Sequence, residues 1–290
     1  MSWIEITLPT SADSAESVGE TMETAGAAAV TFADVADEPL YELEPGATPL
    51  WQRTRVVGLF PADVDRDAVL AELGRAQPLP ADMTIREVVD REWTRAWMDH
   101  FRPMRFGERL WICPTDHPAP AADGLIIRLD PGLAFGSGTH PTTRLCLEWL
   151  DANPPTHQRV IDYGCGSGIL ALAAALMGAR SVLGVDHDGQ AVQATRANAE
   201  LNGVDRTIVA CRNEEEGKPR GDCVLANILA GPLRELAPHL AGMVEPGGRI
   251  VLSGILEEQS AEVVESYTPW FDLSPPMVLE GWVRLDGMRK

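Results

Sequence analysis

Residues Val160 to Gly168 constrain the fold of this chain more than any other segment. They read Val-Ile-Asp-Tyr-Gly-Cys-Gly-Ser-Gly, a short apolar run entering three alternating glycines. A second apolar run, Ser181 to Val185, follows an Ala- and Leu-rich stretch and ends in Asp186. A strand, a glycine turn, a helix and a second strand closed by a carboxylate form the front half of a nucleotide-binding α/β unit. Without side chains at 164, 166 and 168 the backbone turns sharply, and a ligand can lie against it. Asp186 is then placed to accept hydrogen bonds from two ribose hydroxyls.

The glycine spacing bears on which nucleotide is held. A dinucleotide loop requires G-x-G-x-x-G, with its third glycine where this chain has Ile169. The observed G-x-G-x-G, preceded by Asp162, is the usual form of an S-adenosylmethionine loop, which seats no pyrophosphate. An acid near the loop also suits a cationic methionine end better than a diphosphate. On these residues alone, a NAD loop and an ordinary glycine-rich turn both stay open.

Composition narrows the setting. The chain has 290 residues, 45% hydrophobic and 23% charged, as expected of a globular protein of one large or two modest domains. No window is apolar enough for a membrane span, and Met-Ser-Trp-Ile-Glu has no basic region of a secretory signal, so a cytoplasmic location is expected. The cysteines at 113, 146, 165, 211 and 223 form no C-x-x-C pair and the six histidines are scattered, which predicts reduced thiols and no metal site. Net charge is −19, concentrated in the first 90 residues, where 17 acidic and 5 basic side chains give −12. Such a module does not hold a nucleic-acid backbone by itself, because that binding rests on neutralised phosphates. It is suited to steering a basic partner, or simply to solubility.

The hydrophobic pattern divides the chain into residues 1–89, a linker over 90–105 and a larger domain over 106–290. In the first, strands over 3–8, 27–32, 53–60 and 84–89 alternate with helices over 12–25 and 63–76, a β-α-β-β-α-β order that predicts a small ferredoxin-like α+β domain. The linker carries Trp93 and Trp97 four residues apart, on one face of a short helix. The third part reads as a doubly wound α/β domain. Its strands are predicted over 109–112, 125–129, 160–162, 181–185, 207–210, 223–226 and 249–253, with late antiparallel strands in the tail. Its helices are predicted over 142–151, 168–177, 189–202, 232–243 and 257–267, and Glu245-Pro246-Gly247-Gly248 reads as a tight turn.

Further segments converge on the nucleotide face. In Leu129-Asp-Pro-Gly-Leu-Ala-Phe-Gly-Ser-Gly-Thr-His-Pro-Thr-Thr143 the glycines make an adaptable loop, and Thr139 or His140 caps a helix with Pro141 in its first turn. The free N–H groups of that helix start and the hydroxyls of Thr142 and Thr143 suit a carboxylate, although a capped helix after a loop explains the same residues. Asn227 directly follows a core strand, where α/β sheets bind ligands, and its amide is able to accept hydrogen bonds from an amine. The alternative is a helix cap ahead of Pro232. His187, just after Asp186, reads as a turn residue rather than a base.

Taken together, these strings, with Ala226-Asn-Ile-Leu-Ala-Gly-Pro-Leu233, Leu252-Ser-Gly-Ile-Leu256 and Ala96-Trp-Met-Asp-His-Phe-Arg-Pro-Met104, closely resemble the bacterial methyltransferases that modify large-subunit ribosomal protein eleven. The resemblance covers the chain from about residue 90 to its end. It implies a Rossmann-like class I S-adenosylmethionine domain behind a substrate-recognition domain, with that ribosomal protein as partner and lysine side chains and an N-terminal α-amine as acceptors. By position it assigns cofactor contacts to Thr143, Gly164, Asp186 and Asn227, with Asn227 also at the catalytic centre. Ser137 stands where a threonine is more usual, and residues 212–221 match nothing in the pattern, which leaves the adenine side unassigned.

Rival activities differ at Asn227. Nucleobase amino-methyltransferases follow that position with Pro-Pro and an aromatic side chain, and glutamine-modifying enzymes with the same proline pair, whereas Ile228 and Leu229 follow it here. An acidic ribosome-binding factor that only retains the cofactor fold would have little use for the combination of Gly164, Asp186 and Asn227, and a NAD-dependent oxidoreductase stays open as the outside alternative.

Overall fold

The computed structural model describes residues 2–35, 53–76, 78–89, 102–115, 117–119, 124–129, 139–215 and 217–290. The chain divides into two compact units, Met1–Trp93 and Thr94–Lys290.

The first unit runs β1 (Ser2–Ser11), α1 (Ala12–Thr24), β2 (Ala29–Asp34), β3 (Arg53–Pro61), α2 (Arg66–Ala76) and β4 (Thr84–Val89). The sheet order is β2-β3-β1-β4 with every neighbour antiparallel. Alternation along β1 and β3 sends Ile4, Ile6, Leu8, Val56 and Phe60 to one face, where Val18 and Met22 of α1 and Val69 and Leu73 of α2 close a small core. The acidic side chains of α1 lie off this buried stripe, so the core and the charge of the unit do not compete.

In the second unit, β5 (Met104–Phe106), β6 (Leu110–Pro114) and β7 (Leu125–Leu129) precede α3 (Pro141–Ala152), β8 (Arg159–Tyr163), α4 (Ile169–Leu176), β9 (Ser181–Asp186) and α5 (Gly189–Leu201). Then come β10 (Ile208–Arg212), β11 (Gly221–Asn227), α6 (Ala230–Glu235), α7 (Ala237–Met243), β12 (Val244–Leu256), α8 (Ser260–Tyr267), β13 (Phe271–Leu273), β14 (Met277–Leu279) and β15 (Trp282–Arg289). The main sheet has the order β10-β9-β8-β11-β12-β15-β13, with β14 also on β15. Strands β8 to β12 are parallel, and β15 enters antiparallel beside β12. Strand order reverses between β8 and β11, and the crevice beyond their carboxyl ends is where such a sheet binds ligands.

Several expectations are corrected. Residues 109–112 and 125–129 do form strands, but not in the doubly wound sheet: β5, β6 and β7 make a separate three-stranded sheet. Their apolar pattern is that of any buried strand. Here it covers α4, which has no polar residue and is buried along nearly its whole length between β7 on one side and β8 and β9 on the other. Because Met104 already belongs to β5, a linker helix reaching Arg105 is excluded; Trp93 and Trp97 lie outside the described residues. The predicted helix over 232–243 is two helices, broken at Leu236 because Pro238 supplies no N–H for the preceding turn. The helix expected over 257–267 opens with a 3-10 turn at Glu257–Gln259. Residues 245–248 lie inside β12 as a bulge, where Gly221 faces Val244 and Cys223 faces Arg249.

The sheet's other end is closed by charge. Arg159 donates to both carboxylate oxygens of Asp222, at 3.2 and 2.8 Å, and to Glu245 at 3.2 Å. Asp151, buried at the end of α3, accepts from the Glu108 backbone at 2.7 Å and from Arg109 at 3.3 Å, and so ties the β5–β6 turn to the helix. No helix among the described residues is long and apolar enough to cross a membrane.

Candidate cofactor and acceptor site

The loop between β8 and α4 is held by β9 and by α5. The N–H groups of Gly164 and Cys165 both donate to Val185 O, at 2.7 and 3.0 Å. From α5, Thr195 Oγ1 donates to Gly166 O at 3.0 Å and Asn198 Nδ2 donates to Ser167 O at 2.9 Å. Thr195 and Asn198 are both buried, and no sequence signal distinguished them from ordinary helix residues. Their i, i+3 spacing on a helix after the second strand is the only trace available.

Asp186 ends β9 with a carboxylate that is already half engaged. One oxygen accepts from Gly166 N at 2.9 Å and the other from Asp188 N at 3.0 Å. Each oxygen keeps a lone pair, which suits the two vicinal hydroxyls of a ribose. Neighbouring His187 is exposed, with Nδ1 3.3 Å from the same carboxylate, as a turn residue would be.

Asp162 is the other acid of the loop, and it is fully buried. One oxygen accepts from Ala171 N in the first turn of α4 at 3.0 Å, while Oδ1 has no partner. Burial pushes its pKa up to about 7, the Ala171 N–H opposes the shift, and the nearby Asp186 charge adds to it. A carboxyl that rises from 3.8 unfolded to about 7 folded loses stability as pH climbs through that window, because the folded state then binds the extra proton. Asp162→Asn removes the slope. Without cofactor, thermal melts from pH 5 to pH 8 are expected to shift by about 3 kcal/mol in favour of the variant. A constant difference across that range would mean that folded Asp162 is already ionised at pH 5.

Across the crevice, α3 begins at His140, whose ring accepts from Thr142 N at 3.4 Å, with Pro141 in the first turn. The His140 ring stands edge-on to Trp282 with centroids 4.6 Å apart. Burial lowers its pKa, against an opposing pull from Glu280, so the imidazole is neutral at physiological pH. Three residues beyond His140, Thr143 is buried, and its Oγ1 accepts a hydrogen bond from Asn227 Nδ2 at 3.3 Å. Two residues singled out separately, 84 positions apart, are therefore in contact. The bond commits the nitrogen of the Asn227 amide and leaves Oδ1 to accept from a ligand. Ser137 and the rest of 130–138 lie outside the described residues.

Ile228 locks this corner. Gly164 has φ +77°, and a Cβ there would overlap Ile228 Cγ2. Gly254, in β12 with φ +87°, would place a Cβ into the Ile228 carbonyl, 2.7 Å from its carbon. The two glycines let the segment after Asn227 pass between the loop and β12. Gly254 belongs to a string noted in the sequence without a role.

The last feature is Asn213, first residue after β10, whose Nδ2 donates to the Tyr163 hydroxyl at 3.2 Å while Oδ1 is buried and unpartnered. It falls in the stretch that matched no pattern.

The site fits S-adenosylmethionine on observations internal to it: a loop where a Cβ would fill the cradle, a ribose-competent carboxylate at Asp186, a hydroxyl and helix start at Thr143, and unpartnered buried oxygens at Asp162 and Asn213. Among the described residues, no three His, Cys, Asp or Glu side chains gather as a metal site.

Comparisons with known proteins agree. A family model described as ribosomal protein L11 methyltransferase matches residues 2–290. Ribosomal protein L11 methyltransferase of Marinobacter nauticus is 50% identical, with 100% of this chain and 99% of the relative covered. That of Pseudomonas paraeruginosa is 48% identical over 100% of this chain and 99% of the relative. A crystal structure of ribosomal protein L11 methylase from Lactobacillus delbrueckii subsp. bulgaricus superposes with TM-score 0.59 at 32% identity, covering 66% of this chain and 98% of that one.

Proposed function

This chain belongs to the ribosomal protein L11 methyltransferase family, and from that membership we propose how its residues deliver methyl groups to amines of that protein. It is an S-adenosylmethionine-dependent methyltransferase acting on ribosomal protein L11. The acceptors in our reading are lysine side chains and the N-terminal α-amine, modified in the cytoplasm.

Thr143 and the start of α3 take the methionine carboxylate, the Gly164 loop carries the backbone of the donor, and Asp186 takes the ribose. When bound, the donor supplies a sulfonium methyl group open to in-line attack. The chain's task is to present a neutral amine. A lysine of pKa ~10.4 loses its proton at pH 7 at a cost of about 4.6 kcal/mol. A desolvated crevice lowers that cost by disfavouring the ammonium form. Asn227 Oδ1 accepts one N–H of the amine and so aims its lone pair at the methyl carbon, while the neutral His140 adds no charge to repel the substrate. Alignment rather than a strong base carries the rate.

The observation that supports this most is the Thr143–Asn227 bond, which joins a donor-binding residue to an acceptor-binding one. Labelled S-adenosylmethionine incubated with total ribosomal proteins tests it, with mass spectrometry of the labelled band. Label is expected on lysine side chains and the N-terminal amine of L11; label in RNA alone would overturn the reading.

The first unit, net −12 over residues 1–90, is in our reading the substrate-recognition domain, with its negative charge steering a basic ribosomal protein. Removal of residues 1–90 is expected to leave affinity for the donor within about threefold and to abolish methylation of L11. Donor affinity by calorimetry and methylation by label transfer separate the two, and retained methylation would take recognition away from this unit.

A further inference from the structure

We propose that the Glu280 carboxylate receives the incoming ammonium of the protein acceptor at the mouth of the crevice, ahead of Asn227, and so speeds productive encounter with L11. The inference deepens the acceptor reading above and rests on it.

Strand register places the residue. Asn227 ends β11 opposite Ser253 of β12, and β12 continues to Leu256, which faces Trp282 of β15. Because β15 is antiparallel to β12, its first residue lies at the ligand-binding end of the sheet, two strand spacings or roughly 10 Å from β11. This is the side away from Asp186. Glu280 and Gly281 are the two loop residues between Leu279 of β14 and Trp282. The Glu257 N–H donates to Gly281 O at 2.9 Å and pins the turn to the end of β12. Trp282 packs on the ring of His140, three residues before Thr143. A chain of contacts thus links the turn to the Thr143–Asn227 pair.

The residue itself suits its turn poorly. Both loop positions have positive φ, +51° at Glu280 and +78° at Gly281, the geometry of a type I′ hairpin turn that Asn-Gly fits best. Among the described residues only His157 shares this backbone region with Glu280 outside glycine. A side chain kept in a disfavoured backbone beside a functional crevice points to a use for that side chain. No contact within the fold accounts for it, since the carboxylate is exposed and has no ion-pair partner among the described residues. Its field does reach the crevice: burial lowers the His140 pKa, and the Glu280 charge is what opposes that shift. A carboxylate beside a neutral imidazole and an indole suits a cation. In our reading the cation to be admitted is a lysine side chain or an α-amine, both largely protonated at pH 7. Exposure keeps the grip weak, as a place of entry requires. The ammonium is drawn in, sheds its proton to water at the rim, and passes along the two rings to Asn227.

The test uses the full-length protein, L11 and labelled S-adenosyl-L-methionine, with steady-state rates at ionic strengths of about 0.05 and 0.5 M. Glu280→Gln is expected to lower kcat/KM for L11 about fivefold at the lower ionic strength. The loss should lie in KM, with kcat within about twofold of native, and should vanish at the higher ionic strength. Glu280→Lys should lose about thirtyfold, and Glu280→Asp, which keeps the charge, should stay within about twofold. Glu280→Asn gives a signature that a merely structural role does not. It suits the turn better, so its melting temperature should rise by about 1–3 °C while kcat/KM falls as in the glutamine variant. Glu258→Gln, in the exposed turn after β12, is the control and should stay within about 1.5-fold of native. Affinity for S-adenosyl-L-homocysteine should be the same in every variant. An unchanged kcat/KM in Glu280→Gln, a loss carried by kcat, or an equal loss in Glu258→Gln overturns the proposal and leaves the acceptor reading standing. Failure of the native protein to label L11 overturns both.

Discussion

Asn227→Ala is expected to lower turnover by on the order of 10²- to 10³-fold while donor affinity changes by less than about threefold. The asymmetry follows from which atom of the amide is committed. Asn227 Nδ2 is tied to Thr143 Oγ1, so the Oδ1 lost in the variant is the group we propose holds the acceptor amine. In the proposed donor site Thr143, the helix start, the Gly164 loop and Asp186 are left unaltered. Misplacing an attacking lone pair by about 1 Å costs on the order of 10²-fold in rate. Asn227→Asp keeps an acceptor oxygen and lets the Thr143 hydroxyl become the donor, so it should lose less turnover than the alanine variant. Steady-state rates with L11, set beside calorimetric affinity for S-adenosyl-L-homocysteine, decide the matter. Parallel losses in turnover and affinity would make Asn227 a donor-binding residue and nothing more.

The largest effect on stability is expected at Gly254. An alanine there takes on φ +87° and drives its Cβ against the backbone carbonyl of Ile228, which has no rotamer with which to yield. The left-handed backbone costs about 1–2 kcal/mol and the overlap about 1–3 more, so a loss of about 2–5 kcal/mol is expected, or roughly 10 °C in melting temperature. Because Ile228 also packs onto Gly164, the displaced segment enters the donor cradle, and donor binding should fall with stability. Gly247→Ala is the control, since φ is +75° there and nothing lies within 4 Å of the added carbon. It should cost only the backbone part, about 1–2 kcal/mol. Equal melting temperatures for the two variants would remove the Ile228 contact from the account.

Much of the site is legible in order along the chain because its signals are local. Gly164, Gly166 and Gly168 sit together between an apolar strand and an apolar helix, and Asp186 ends the next strand. Capping of α3 at His140 is equally local, since a cap and a proline within two residues prescribe a helix start. The expectations that failed concern partners chosen across distance. Leu110, Ile112, Ile127 and Leu129 have the alternation of sheet strands, and periodicity states only that one face is buried, not against what. They join the same buried core as α4, with β7 against that helix, rather than extend the main sheet. Pro238 broke a helix whose apolar period runs straight through it, a case of a missing N–H outweighing a favourable pattern.

What the sequence by itself determined is a nucleotide-binding α/β unit and the kind of backbone that forms its loop, because glycine spacing, a strand-terminal carboxylate and a capped helix act within a few residues of where they are written. Only the tertiary structure decided which of these groups act together. Asn227 meets Thr143 across 84 positions, Gly254 admits Ile228 beside Gly164, and Asn213 turns its free oxygen past β10 because Tyr163 on β8 holds its nitrogen. Such contacts depend on strand order and close packing, and both are properties of the folded sheet rather than of any segment read alone.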